Sequence, residues 1–356
     1  MTTPLVLPEG APDEVITVAK VRDVDLTPFG FKGTLALITM DNGLDHTRPN
    51  TLGPQSVASL DAAITEAISR KPAAIAVTGK PFIFAAGADL SAMSFLTDRS
   101  QALAIGKLGH DVFRRLGEID IPTFAFINGL ALGGGLEIGL HSKYRTLAST
   151  AFTALPEVFL GLVPGWGGAT LLPKLIGPEK AVQVIILNSL NNNTMMKAKD
   201  AQALGVVDAV FEPADFLEKS VAFAASVLAG TTKIERKDYS NDPAWDAALA
   251  TGKAAAAKKF GGADIASPRK ALELIAAART CSNGEGFDAE DQVLADLVMS
   301  DPLRASLYAF NLIQKKRKKV EGAPKANLAR KVTKVGVVGA GLMASQLALL
   351  LVRNLK

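Results

Sequence analysis

Short apolar runs alternate with stretches of helical periodicity between residues 34 and 140, and that alternation leaves few architectures open. Residues 34–40 and 73–78 are apolar or β-branched runs, closed by Asp41-Asn42-Gly43 and by Gly79. Residues 14–20 have the same character and predict a further strand. Residues 55–70 and 101–118 place apolar side chains at helical spacing. Residues 122–128 predict a strand that runs into glycines and then a helix. Such alternation argues for an α/β fold with mainly parallel strands. From about 178 to 310 the pattern is largely helical, with helices predicted at 214–229, 243–259, 268–279 and 287–299.

Composition removes several function classes. Hydrophobic residues make up 48% and charged residues 21% of the 356 positions, enough apolar material for a substantial core. Cys281 is the single cysteine, so no intrachain disulfide forms, which fits a reducing compartment and a cytoplasmic location. His46, His110 and His141 are far apart and have no cysteine companions, so no metal-ligand spacing exists. Residues 1–10 lack the basic and apolar regions of a secretory signal. The net charge is only +4, and a visible basic run at 315–319 has no interleaved aromatics, which argues for a solvated connector and against nucleic acid. Residues 335–352 approach the length of a membrane span, but Gly336, Gly339, Gly341, Ser345 and Gln346 interrupt them. Strand, Gly339-x-Gly341-x-x-Ala344 turn and helix is the better expectation, with no integral membrane span.

Three segments carry chemistry. The first, Phe84-Ala85-Ala86-Gly87-Ala88-Asp89-Leu90, follows the strand at 73–78. Small residues there let backbone N–H groups approach a ligand, although a tight turn capped by Asp89 also satisfies the pattern. In the second, Gly133, Gly134 and Gly135 end a loop and open a helix, with Glu137 one turn in. Free N–H groups backed by the helix dipole suit a developing oxyanion. In the third, Glu157 follows Pro156 within an apolar stretch, surroundings that raise a carboxyl pKa. Pro164-Gly165-Trp166-Gly167-Gly168 then forms a loop. His141 lies four residues after Glu137 and can share its helix face.

Together these segments resemble the enoyl-CoA hydratase (crotonase) family, over roughly residues 30–215. The carriers are Ala85-Ala86-Gly87-Ala88-Asp89, Gly133-Gly134-Gly135-Leu136-Glu137, Pro156-Glu157 and Pro164-Gly165-Trp166-Gly167-Gly168. Arg48-Pro49-Asn50-Thr51-Leu52 and residues 198–208 also fit its pattern. The Asn191-Asn192-Asn193-Thr194 stretch departs from it. The resemblance implies an α/β crotonase (ClpP-like) fold, a ββα spiral core with a helical C-terminal extension. It implies hydration of trans-2-enoyl-CoA to 3-hydroxyacyl-CoA in fatty-acid β-oxidation. Ala88 and Gly134 would supply the oxyanion N–H groups, Glu137 would activate water and Glu157 would donate a proton. Ala86, Gly87, Asp89, Gly133, Pro164 and Gly165 would line the substrate site. No cofactor would be required, CoA being part of the acyl-CoA substrate. Isomerisation by the same site, or a non-catalytic scaffold binding acyl-CoA or thiolase, are the alternatives.

The segment from Val335 to Ala344 looks like the opening of a 3-hydroxyacyl-CoA dehydrogenase domain. A hydratase core, a basic connector and a dinucleotide motif in that order resemble the multifunctional α-subunit of the β-oxidation complex. Its thiolase β-subunit would be a partner. The implied organisation is a hydratase domain with helical extension at 1–300, a helical, basic linker at 301–334, and the first strand and helix of a truncated Rossmann domain at 335–356. Gly339 and Gly341 would then be a vestigial NAD motif. The acidic ribose-binding residue expected about 20 positions on is not in the sequence, so NAD binding and dehydrogenase activity are expected only of a full-length protein.

Overall fold

The computed structural model describes residues 10–313, 322, 324, 326–328 and 330–354. The basic run at 315–319 lies outside the described residues. The chain divides into two units, Met1–Tyr308 and Ala309–Lys356.

Among the described residues, the first unit carries ten strands. These are β1 (Val18–Asp25), β2 (Thr34–Asp41), β3 (Ala74–Gly79), β4 (Phe82–Ala85), β5 (Thr123–Ile127), β6 (Gly129–Leu132), β7 (Tyr144–Ala148), β8 (Phe152–Ala154), β9 (Met196–Lys197) and β10 (Ala209–Phe211). Six form one sheet in the order β1-β2-β3-β5-β7-β10, and four form another in the order β4-β6-β8-β9. The strands pair in parallel except for β1 on β2 and β9 on β8.

Helices α1 (Pro54–Ser69), α2 (Arg99–Glu118) and α3 (Gly134–His141) lie among the early strands. They are followed by α4 (Glu157–Leu160), α5 (Gly168–Ile176), α6 (Pro178–Val182), α7 (Asn188–Leu190), α8 (Ala198–Leu204) and α9 (Phe216–Leu228). Then come α10 (Trp245–Lys259), α11 (Ala266–Ala277), α12 (Asn283–Val298) and α13 (Asp301–Asn311). A strand of the large sheet, a strand of the small sheet and a helix recur three times: β3-β4-α2, β5-β6-α3 and β7-β8-α4. This is the expected ββα spiral with a helical extension. Every residue of β3 and β5 is buried, as parallel strands covered on both faces require.

The turns stack as the strands do. Asn128, between β5 and β6, accepts from Gly79 N at 3.1 Å and donates to Gly79 O and Lys80 O at 3.0 and 2.6 Å. A Cβ on Gly129 would run into Phe82 O, so one turn nests on the other only with glycine there. Asn192 and Asn193 adopt left-handed backbone after α7, a conformation asparagine tolerates well. That accounts for the asparagine-rich departure noted in the sequence.

Two elements have boundaries that differ from expectation by four residues or more. The first strand is Val18–Asp25 and not 14–20. It is an edge strand whose charged residues alternate with partly buried ones, so the apolar run before it misleads. Glu14 in that run instead caps α1, accepting from Gln55 N and Ser56 N at 2.9 Å each. Helix α12 starts at Asn283, four residues before the expected start, because Ser282 and Glu285 form a capping box.

The first unit extends through Leu303 and Leu307 of α13, which are buried. In the second unit, α14 (Leu342–Asn354) is present, but the strand expected from Val335 is not. Residues 335–340 have no regular structure and are exposed. A strand needs neighbouring backbone to bond, and the described residues of that unit provide none. No described helix is long and apolar enough to cross a membrane.

Candidate active site

Strands β4, β6 and β8 lie side by side and parallel, so the chain leaves them at one edge of the small sheet. The three chemistry-bearing segments follow these strands directly. After β4, the backbone of 86–89 is zipped onto 50–52: Ala86 N donates to Asn50 O, Leu52 N to Gly87 O, and Asp89 N to Leu52 O. Buried Asn50 anchors the zip by donating to Met40 O and Phe84 O at 2.9 and 3.1 Å. Ala88 N–H is left without a protein acceptor among the described residues. After β6, Gly133 has φ +51° and opens α3, where the Gly134 N–H is equally unpaired. A Cβ on Gly87 would lie 3.3 Å from Gly134 N, and one on Gly134 3.6 Å from Ala88 N. The two free N–H groups therefore belong to one small space.

That space is a cavity of about 70 Å³, whose walls include Ala88, Gly134, Glu137, Glu157, Leu162 and Trp166. Ala86, Gly87, Gly133 and Gly165 also line it. Asp89 lines an adjoining cavity that shares Ala88 and Trp166, and its Oδ1 accepts from Ser91 N at 2.9 Å. Its direct role is thus in the turn. Pro164 does not line the site cavity. It packs against the first residue of α5, where a Cβ on Gly168 would lie 2.7 Å from Pro164 Cβ.

The two glutamates face this cavity in different environments. Glu137 Oε1 accepts from Trp166 N and Gly168 N, both at 2.8 Å. Burial, and then the negative charge of Glu290, push its pKa up to about 7, while the two N–H donors and His110 oppose that rise. Glu157 Oε2 is buried without a hydrogen-bond partner. Burial, with the nearby Glu137 charge next, holds the Glu157 pKa well above the ordinary carboxylate range. A Cβ on Gly133 would collide with the Glu157 carboxyl, so that glycine makes the room it occupies.

The loop at 164–168 is held from several sides. The Trp166 indole covers Gly134 and donates to Ile105 O at 3.2 Å. His141 Nε2 donates to Trp166 O at 2.9 Å, and burial lowers its pKa to about 3, so it is a neutral support. Glu290, fully buried on α12, was not found from sequence. It accepts from Gly167 N, Thr170 N and Thr170 Oγ1 at 2.6, 2.7 and 2.6 Å. It also pairs with His110, whose other ring nitrogen meets Asp291. Only His110 stood out in the sequence, and then only as an isolated histidine.

Among the described residues no cluster of three or more His, Cys, Asp or Glu side chains could hold a metal ion. Gly339 and Gly341 lie in exposed chain without a preceding strand, so the described residues do not build a dinucleotide cradle.

Backbone donors that follow two neighbouring strands and two perturbed carboxyls thus meet in one cavity. A family model described as Enoyl-CoA hydratase/isomerase matches residues 30–262, and the chain belongs to that family. It is similar to the fatty acid oxidation complex subunit alpha of Idiomarina loihiensis, 32% identical over 282 residues, covering 77% of this chain and 38% of that protein. It is also similar to the glyoxysomal fatty acid beta-oxidation multifunctional protein MFP-a of Brassica napus, 30% identical over 315 residues, covering 85% and 42%. The chain thus spans less than half the length of these curated relatives. Among solved structures, human mitochondrial delta3-delta2-enoyl-CoA isomerase aligns with a TM-score of 0.59 at 18% identity, covering 85% of this chain and 99% of that one. An enoyl-CoA hydratase from Bacillus anthracis aligns with a TM-score of 0.51 at 22% identity, covering 84% and 96%. Both show the shared fold.

Proposed function

We propose that this chain hydrates trans-2-enoyl-CoA to 3-hydroxyacyl-CoA, as a step of fatty-acid β-oxidation. The observation that supports this most is the convergence of two unpaired N–H groups and two carboxyls on one cavity. The thioester oxygen accepts from Ala88 N–H and Gly134 N–H, which draws electron density from C3. Glu137 takes a proton from water as the water oxygen bonds to C3. Glu157 gives a proton to C2 of the resulting enolate, completing addition of H and OH. Two N–H donors favour the ionised form of Glu137, which suits a base. The partnerless Oε2 favours the protonated form of Glu157, which suits an acid.

No cofactor enters these steps, and no step runs through NAD. Residence in the cytoplasm, consistent with a single cysteine, and association of a longer form of the protein with a thiolase subunit are parts of the same proposal. The test is hydration of a short enoyl-CoA by Glu137→Gln and Glu157→Gln, each with its fold checked by circular dichroism. Each variant loses most turnover; near-normal turnover in either rejects the assignment. Product analysis with a 3-enoyl-CoA measures isomerisation by the same site.

A further inference from the structure

Glu290 has no place in the chemistry above, yet it is 0% exposed and saturated with donors. Its carboxylate and that of Glu137 share one stretch of backbone. Trp166 N and Gly168 N go to Glu137; Gly167 N and Thr170 N go to Glu290. The turn is therefore clasped between a carboxylate of α3 and a carboxylate of α12. Gly167 has φ +105°, so this turn cannot readily hold itself in shape with a side chain there.

The charge beneath the clasp is compensated. His110 on α2 meets Glu290 Oε2 at 3.2 Å and Asp291 Oδ1 at 2.7 Å, and stacks on Phe287 at 4.8 Å between ring centroids. Burial alone would depress His110, but the hydrogen bonds to Asp291 and Glu290 outweigh it and raise its pKa to about 9. It is a buried cation at neutral pH.

We propose that Glu290 and His110 are positioning residues for Glu137: together they fix, from beneath, the turn whose N–H groups hold that carboxylate. The reading rests on the hydratase proposal for its functional meaning, but not for its geometry. The charged and titratable groups around Glu137 are Glu157 on α4, Glu290 on α12 and His110 on α2, with neutral His141 on its own helix. Those around His110 are Glu290 and Asp291 on α12 and Glu137 and neutral His141 on α3, with Arg114 one turn along α2 and 5.8 Å from the Phe287 ring. His110 is the cation in this set that directly contacts Glu290, so its removal leaves the carboxylates facing one another.

The test has two arms. The first is an infrared pH titration, without substrate, of the carboxyl signal that Glu137→Gln abolishes. His110→Gln moves its midpoint to higher pH by roughly one unit, the scale of a neighbouring charge. A role in packing alone leaves the midpoint in place, and an unshifted midpoint overturns the proposal. The second arm is hydration kinetics of Glu290→Gln, whose amide cannot accept from both Gly167 and Thr170. It lowers kcat by roughly 10-fold to 100-fold, with little change in KM, because the misplaced group acts in the chemical step. Wild-type kcat in that variant also overturns the proposal. Should Glu290→Gln not fold, the His110→Gln titration decides alone. Should the wild type fail to hydrate enoyl-CoA, the function proposed above fails while the titration still decides this inference.

Discussion

Two parts of this chain carry a glycine run ahead of a helix, and they have different fates. Gly133, Gly134 and Gly135 follow β6 and open α3 inside a packed sheet edge. Gly339 and Gly341 precede α14 in exposed backbone, with no strand before them. In the first case each glycine answers a neighbour: the Glu157 carboxyl at Gly133, the Trp166 ring at Gly134, Ala85 O at Gly135. In the second, a Cβ on Gly341 would meet nothing within 4 Å. A glycine run becomes a site through the strand that aims it and the groups that crowd it.

The largest expected effect tests the crowded region. Glu137→Gln and Glu157→Gln should each lower kcat for hydration by about 10²–10⁴, the usual worth of a positioned acid or base. Steady-state kinetics with a short enoyl-CoA measures it. Two variants of full activity would reduce the first glycine region to a packing motif like any other.

A smaller effect sharpens the same contrast in stability. Gly135→Ala forces a methyl group into Ala85 O, and overpacking of this kind costs about 1–3 kcal/mol. Gly341→Ala meets open space and should stay within about 0.5 kcal/mol of the wild type. Chemical denaturation of the two variants compares them directly. Equal losses would mean that crowding does not separate the regions.

The pH dependence follows from the same burial. Glu137 is raised to about 7 in the folded protein from the ordinary glutamate value of 4.5. The folded state therefore binds more protons between those values, and this group's contribution to stability falls as pH rises from about 4.5 through 7. A base must be ionised, so kcat/KM should rise with pH through about 7. Glu157, also held above the ordinary carboxylate range, should set a second limb where its proton is lost, and the two limbs belong to the pair. A profile that is flat between pH 5 and about 8 would remove Glu137 from the base role.

The legible part of the molecule was the local part. Strand and helix alternation announces β2, β3, β5 and the helices between them, and glycines beside Glu137 and Glu157 announce the cavity. The edge strand β1 was misplaced because its charged, alternating residues carry a weaker signal than the apolar run before it. Glu290 was hidden because its partners, Gly167 and Thr170, lie 123 and 120 residues away. Nothing near Glu290 in sequence marks it as buried: Asp288, Ala289, Asp291 and Gln292 read as an ordinary polar helix face. Only packing of α12 against α2 and α5 shows that Glu290 and Asp291 point inward.

The smallest expected effect is the most exacting test of the comparison. The Gly339-x-Gly341-x-x-Ala344 turn fits a dinucleotide fingerprint by sequence, and a fingerprint binds through N–H groups held at the end of a strand against a helix N-terminus. Here α14 follows the turn, but residues 335–340 are exposed coil, so nothing fixes the N–H groups toward a common point. Ordering them on a ligand would cost backbone entropy of about 1–2 kcal/mol per residue, more than a few phosphate contacts return. Isothermal titration of this chain with NAD should therefore give no binding heat. A saturable heat that Gly339→Val abolishes would show that the turn assembles a site without a strand behind it, and the rule drawn from the Gly133 region would fail there.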